Sequence, residues 1–190
     1  MTVFSERIEE LNKILSEFGR ESNEIITSIS SAIAECFRTG GKVLICGNGG
    51  SAADSQHFAA EFVSSFSKNL SRRALPALAL TTDTSMITAY SNDFGYEGVF
   101  ARQVEAFGSE GDVLIVISTS GNSMNCIKAV EVARNHNLKT VSFTGEAGVL
   151  KEIVDFDLTV PSSNTQHIQE AHLVAYHVIA ELVEQELFTS

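Results

Sequence analysis

Five short, largely apolar runs set the tightest limit on how this chain folds. They are Lys42 to Cys46, Pro76 to Leu80, Val113 to Ile117, Thr140 to Phe143 and Leu158 to Val160. A strand that is apolar on both sides must be covered on both sides, which is the situation of a parallel sheet between helices. Parallel neighbours in turn need crossover connections, usually helical. The intervening stretches are long enough, most clearly Ser51 to Phe66, Met124 to Asn135 and Thr165 to Leu187. Ahead of the first run, Phe4, Ile8, Leu11, Ile14, Leu15 and Phe18 recur at helical spacing. Ile25, Ile26, Ile29, Ile33 and Phe37 mark a second helix, stopped by Gly40-Gly41. These patterns predict a single α/β domain over residues 1–190. An N-terminal helical hairpin (1–40) precedes a three-layer core (41–190) with a roughly five-stranded parallel sheet.

A chain of 190 residues, 44% of them hydrophobic, has enough apolar surface for one real core. Its net charge of −11 argues against nucleic acid and anionic membrane as partners, since both reward basic surfaces. Cys36, Cys46 and Cys126 are odd in number and lack metal-type spacing, so they read as buried free thiols of a reducing compartment. Met1 to Asn12 carries acidic residues and no apolar signal core. Val113 to Ile117, the longest strongly apolar run, is too short to span a bilayer. A cytoplasmic location is the expectation.

In such sheets, ligands sit beyond the carboxyl ends of the strands. Two of the loops there are suited to an anion. After the first run comes Gly47-Asn48-Gly49-Gly50-Ser51, which opens a helix, with Ser51 and Asp54 at capping-box spacing. Glycines allow close backbone approach, and a helix start offers unpaired N–H groups. Gly47, Gly49 and Ala52 also fit a weak dinucleotide fingerprint, but the acidic residue required about 20 residues later is missing. After the third run comes Ser118-Thr119-Ser120-Gly121-Asn122-Ser123, again opening a helix. Four hydroxyls around a glycine at a helix start favour a phosphate cradle over a plain N-capped turn. Neither loop contains Lys or Arg, so hydroxyls and dipoles would hold the phosphate. The Gly-Lys-Ser/Thr step of a nucleotide P-loop is absent.

His57 and Glu61 are four apart on the helix after the first loop and share one face. Such a pair can share a metal ion, pass protons, or be a surface pair without a role. The last helix carries Gln166, His167, Gln169, Glu170, His172 and His177. His136, at a polar helix end, is set aside. Gln169 and His177 are eight residues apart, about 12 Å along one helix axis. If both serve one site, the simpler arrangement draws them from different subunits.

Together these pieces resemble the sugar-isomerase (SIS) domain family, a flavodoxin-like fold, and within it the phosphoheptose isomerases. The likeness runs through 41–51, His57-Phe58-Ala59-Ala60-Glu61, Asn92-Asp93-Phe94-Gly95, Gly111-Asp112-Val113-Leu114, 117–123 and Ile168-Gln169-Glu170 with His172 and His177. It implies interconversion of sedoheptulose 7-phosphate and D-glycero-D-manno-heptose 7-phosphate through an enediolate. The product would feed heptose into surface polysaccharide such as lipopolysaccharide. By the same resemblance, Asn48, Gly49, Gly50 and Ser51 line the sugar, Asn92 and Asp93 meet its hydroxyls, and Ser118, Thr119, Ser120 and Ser123 hold the phosphate. His57, Glu61, Gln169 and His177 match the family's zinc ligands. Gln169 also falls in the substrate site. Glu61 and His177 match the acid–base pair, and the assembly implied is a homotetramer with active sites at subunit interfaces. The sequence departs from the family at Ser64-Ser65-Phe66, where relatives carry Gly-Arg-Tyr, and Arg72 or Arg73 is a candidate replacement for that charge. The competing readings are a non-catalytic SIS-domain protein that binds a sugar phosphate or a replication initiator, and a sugar-phosphate sensor. The first lacks the helix Glu and late His found here; the second is normally joined to a DNA-binding segment.

Overall fold

A computed structural model describes residues 2–189. Two helices come first, α1 (Val3–Glu21) and α2 (Asn23–Arg38), joined at Ser22. There follow β1 (Val43–Gly47), α3 (Gly50–Val63), β2 (Ala77–Ala79), α4 (Thr84–Phe94), α5 (Val99–Phe107), β3 (Val113–Ser118), α6 (Met124–Asn135), β4 (Lys139–Thr144), α7 (Leu150–Ile153), β5 (Phe156–Thr159) and α8 (Thr165–Phe188). All four strand pairings are parallel, in the order β2-β1-β3-β4-β5.

The continuous apolar runs are explained by two cores, one on each face of the sheet. Val43 and Ile45 of β1, with Val113, Ile115 and Ile117 of β3, face a core shared with α2, α3 and α8. Leu44, Cys46, Leu114 and Val116 face the other way, into a core shared with α5, α6 and α7. Period-two alternation persists, but both sets of side chains are buried, so the sequence shows an unbroken stripe. The three cysteines are free and buried.

The five expected strands are present, although β5 begins at Phe156, two residues before the expected start, and Val160 follows it as a buried residue. Chain order reverses between β1 and β3, whose neighbours in sequence lie on opposite sides. The crevice at such a switch point is where ligands bind. Both anion-type loops leave from it, with Gly47 paired to Ile117.

Candidate active site

The first loop is shaped by its glycines. Gly49 caps α3 with φ +58°, a conformation that favours glycine, and its own carbonyl accepts from Ala52 and Ala53. This corrects the capping box expected at Ser51 and Asp54. The helix starts two residues earlier than that box implies, without a side-chain cap, so Ser51 lies inside its first turn, buried, and its carbonyl accepts from Ser55 Oγ. At Gly50 a Cβ would lie 2.5 Å from Gln169 Nε2, so a side chain there would displace the Gln169 amide.

Asn48 ties this loop to the first turn of α6, just after the second loop. Its amide exchanges two hydrogen bonds with Asn125, at 3.0 and 2.8 Å, and its Oδ1 also accepts from Tyr96 Oη at 3.0 Å. In the second loop, Ser118 Oγ lies 2.8 Å from Ser123 Oγ and 3.4 Å from Ser120 Oγ. Ser123 stands at the N-cap of α6 without making a side-chain cap bond, which leaves its hydroxyl to the cluster. Thr119 is half-buried beside them. A cleft of about 380 Å³ opens between Asn48, Tyr96, Ser123 and Asn125.

Helices α3 and α8 run side by side and in step. Gly50 meets Gln169, and His57 meets Tyr176 and His177. His57 Nε2 lies 3.1 Å from Glu61 Oε1 and 3.4 Å from His177 Nε2. The ligand atoms of His57, Glu61 and His177 all fall within 4.8 Å of one another. Among the described residues, these three form the cluster of His, Cys, Asp or Glu close enough to share a metal ion. Two imidazoles and a carboxylate are borderline-soft and hard donors of the type zinc accepts.

Sequence reasoning missed several neighbours of this cluster. Tyr176 Oη bonds His57 Nδ1 at 2.9 Å. Burial raises the phenol's pKa, and the nearby carboxylates of Asp54 and Glu61 raise it further. Burial likewise raises that of Asp54, against the opposing pull of His57 and Tyr176. An aromatic in an apolar run reads as core, so only its adjacency to His177 pointed to the site. Asn125 and Tyr96 gave no signal beyond following the loop and the Asn92-Asp93 pair.

Glu61 and His177 meet within one chain. Gln169 lies against Gly50, about two turns of α8 before His177, as their spacing in the sequence predicts. One expectation is corrected here. Arg72 and Arg73 do not stand in for the family's arginine. Arg72 is buried against Glu184, and Arg73 donates to Phe37 O. Asn92 and Asp93 are exposed near the end of α4 and hydrogen-bond each other at 2.8 Å, with no bond to the other site residues.

Comparison with known proteins places this arrangement. The SIS domain pattern matches residues 7–145. A phosphoheptose isomerase from Roseiflexus sp. is 58% identical over 165 residues, covering 86% of this chain and 83% of that protein. The chain belongs to the phosphoheptose isomerase family of SIS-domain proteins. The relative from Clostridium acetobutylicum is 51% identical over 182 residues, covering 95% of this chain and 91% of its own. The solved phosphoheptose isomerase from Francisella tularensis superposes with a TM-score of 0.92 at 37% identity, covering 97% of this chain and all of that one. Family, α/β fold and sugar-phosphate isomerase class thus agree with the sequence reading, and the non-catalytic alternative is not favoured. Among the described residues, no helix is long and apolar enough to cross a membrane.

Proposed function

We propose that this protein, a single domain over 1–190, interconverts sedoheptulose 7-phosphate and D-glycero-D-manno-heptose 7-phosphate by proton transfer through an enediolate. The observation that carries the reading is the meeting of Glu61 and His177 across α3 and α8, where α3 opens at the glycine loop, whose Asn48 bonds Asn125 at the start of α6. The phosphate is held by the hydroxyls of Ser118, Thr119, Ser120 and Ser123 and the start of α6. The open-chain sugar then passes over Asn48, Gly49, Gly50 and Ser51, bringing its carbonyl end toward Glu61. Asn92 and Asp93 remain candidates for its outer hydroxyls.

Glu61 takes the proton from C1, and the C–H electron pair becomes the C1–C2 double bond of the enediolate. His177 donates to the developing oxyanion, and a proton is returned at C2 while the O1 proton is lost, leaving the aldose. His57, Glu61 and His177 fit a divalent cation, and zinc suits the donor set, while Gln169 lies about two turns back along α8 against Gly50. When bound, it would supply positive charge to the enediolate oxygens. A carboxylate has two oxygens, so Glu61 can ligate through one and accept a proton through the other. We read the protein as a cytoplasmic homotetramer with active sites close to subunit interfaces, supplying heptose for surface polysaccharide.

The test is incubation of purified protein with sedoheptulose 7-phosphate and a panel of shorter ketose phosphates, with and without chelator. Aldoheptose phosphate should appear from the seven-carbon substrate and fall with chelation. Turnover of a shorter sugar alone would reject the substrate, and no turnover of any would reject the reaction.

A further inference from the structure

The chain after α3 contains a buried charge pair that the chemistry above does not use. Arg72 and Glu184 have side-chain exposures of 1% and 3%, and Arg72 Nε lies 2.6 Å from Glu184 Oε1. Arg72 makes three further bonds, each to a backbone carbonyl. Nη1 donates to Phe62 O and Arg73 O, both at 2.9 Å, and Nη2 donates to Glu61 O at 2.8 Å. The last carbonyls of a helix have no partner within it, so the guanidinium fork closes the end of α3 at the residue that carries the carboxylate. Glu184 also accepts from Phe66 N at 2.9 Å and Ser67 N at 3.1 Å. Those bonds place the Phe66 ring 5.8 Å from the His177 ring. Glu184 lies seven residues beyond His177, about two turns along the same side of α8.

Stability alone does not call for this arrangement, because an apolar pair of similar volume commonly serves a fold as well as a buried ion pair. What the charges add is direction: a planar fork and a carboxylate fix several backbone atoms at once. We propose that Arg72 and Glu184 are positioning residues, a buried strut that sets the end of α3 against α8 and so holds Glu61 and His177 at their working separation. The inference rests on reading those two as the proton-transfer pair.

The test compares wild type with Arg72→Lys and with the apolar double variant Arg72→Met/Glu184→Leu. Lysine keeps a charge beside Glu184 but loses the fork onto Glu61 O. The double variant keeps the volume buried and removes every directed bond. In variants that melt cooperatively above the assay temperature, kcat on sedoheptulose 7-phosphate should fall by about 100-fold, the effect of a misplacement near 1 Å. KM should move only a few-fold, because the serine turn is untouched. A folded variant with wild-type kcat overturns the strut, as does one in which KM rises and kcat holds. The ring NMR signals of His57 and His177 report the same geometry without substrate. A wild type inactive on that sugar therefore refutes the functional reading, while the strut stands if the variants shift those signals and falls if they do not. Should the double variant fail to fold, Arg72→Lys decides by the same two readouts.

Discussion

The two ends of the proposed active site are built in opposite ways. The anion end is local: two strand–loop–helix turns, 47–51 and 118–123, leave adjacent strands and use their own glycines, hydroxyls and backbone. The proton-transfer end is assembled from distant parts of the chain. His57 and Glu61 come from α3 and His177 from α8, and each is held by partners as remote as Tyr176 and the Arg72–Glu184 pair. Local construction makes a site whose parts fail one at a time; assembled construction makes one that fails as a unit.

Substitutions at the two ends should therefore separate in kinetics. Glu61→Gln keeps the shape and removes the base, so kcat should fall by about 10²- to 10⁴-fold with KM within a few-fold. A loss confined to KM would make Glu61 a binding residue and erase the contrast. Co-assembly of Glu61→Gln chains with His177→Asn chains should restore no activity, because one chain supplies both groups. Recovered turnover in the mixture would mean that the pair is shared between subunits.

The frame of the proton-transfer end should also respond to acid. His172 is fully buried on α8, with Nε2 3.2 Å from Thr144 O, and burial lowers its pKa to about 4 from 6.5. The folded pKa lies below the unfolded one, so between these values the unfolded chain binds more protons and stability rises with pH. Stability should therefore be lost as pH falls from about 6.5 to about 4, by up to about 3 kcal/mol. Denaturant melts of His172→Asn across that window should show a shallower slope; an equal slope would exonerate this imidazole. Tyr176→Phe removes the partner of His57 Nδ1 and should weaken zinc binding by about 10- to 100-fold in chelator competition. Last, Ser123→Ala should raise KM a few-fold and spare kcat, since one hydroxyl contributes about 1 kcal/mol.

The same division decides what could be read from the sequence. Strands, the glycine loop and the serine turn were legible because the residues that make them are neighbours in the chain. Helix α4 left no apolar stripe, since none of its residues is buried, and it passed unrecognised. The capping box was misplaced because Gly49 takes a positive φ, and spacing alone does not show that. In sequence Arg72 and Arg73 are both candidates for the family's arginine; only the fold shows Glu184 against Arg72. The eight-residue spacing of Gln169 and His177 was legible as a separation, and the structure keeps it, with Gln169 against Gly50 and His177 against His57.

That companionship has a consequence for how the chain can vary. Contacts between α3 and α8 keep a nearly constant numbering offset, 50 with 169, then 57 with 176 and 177. One residue inserted between the first rung and the next would swing everything downstream by about 100° around the axis. Composition can drift along these helices, but length cannot. Insertions and deletions belong instead in the segment after α3, where the chain leaves the ladder.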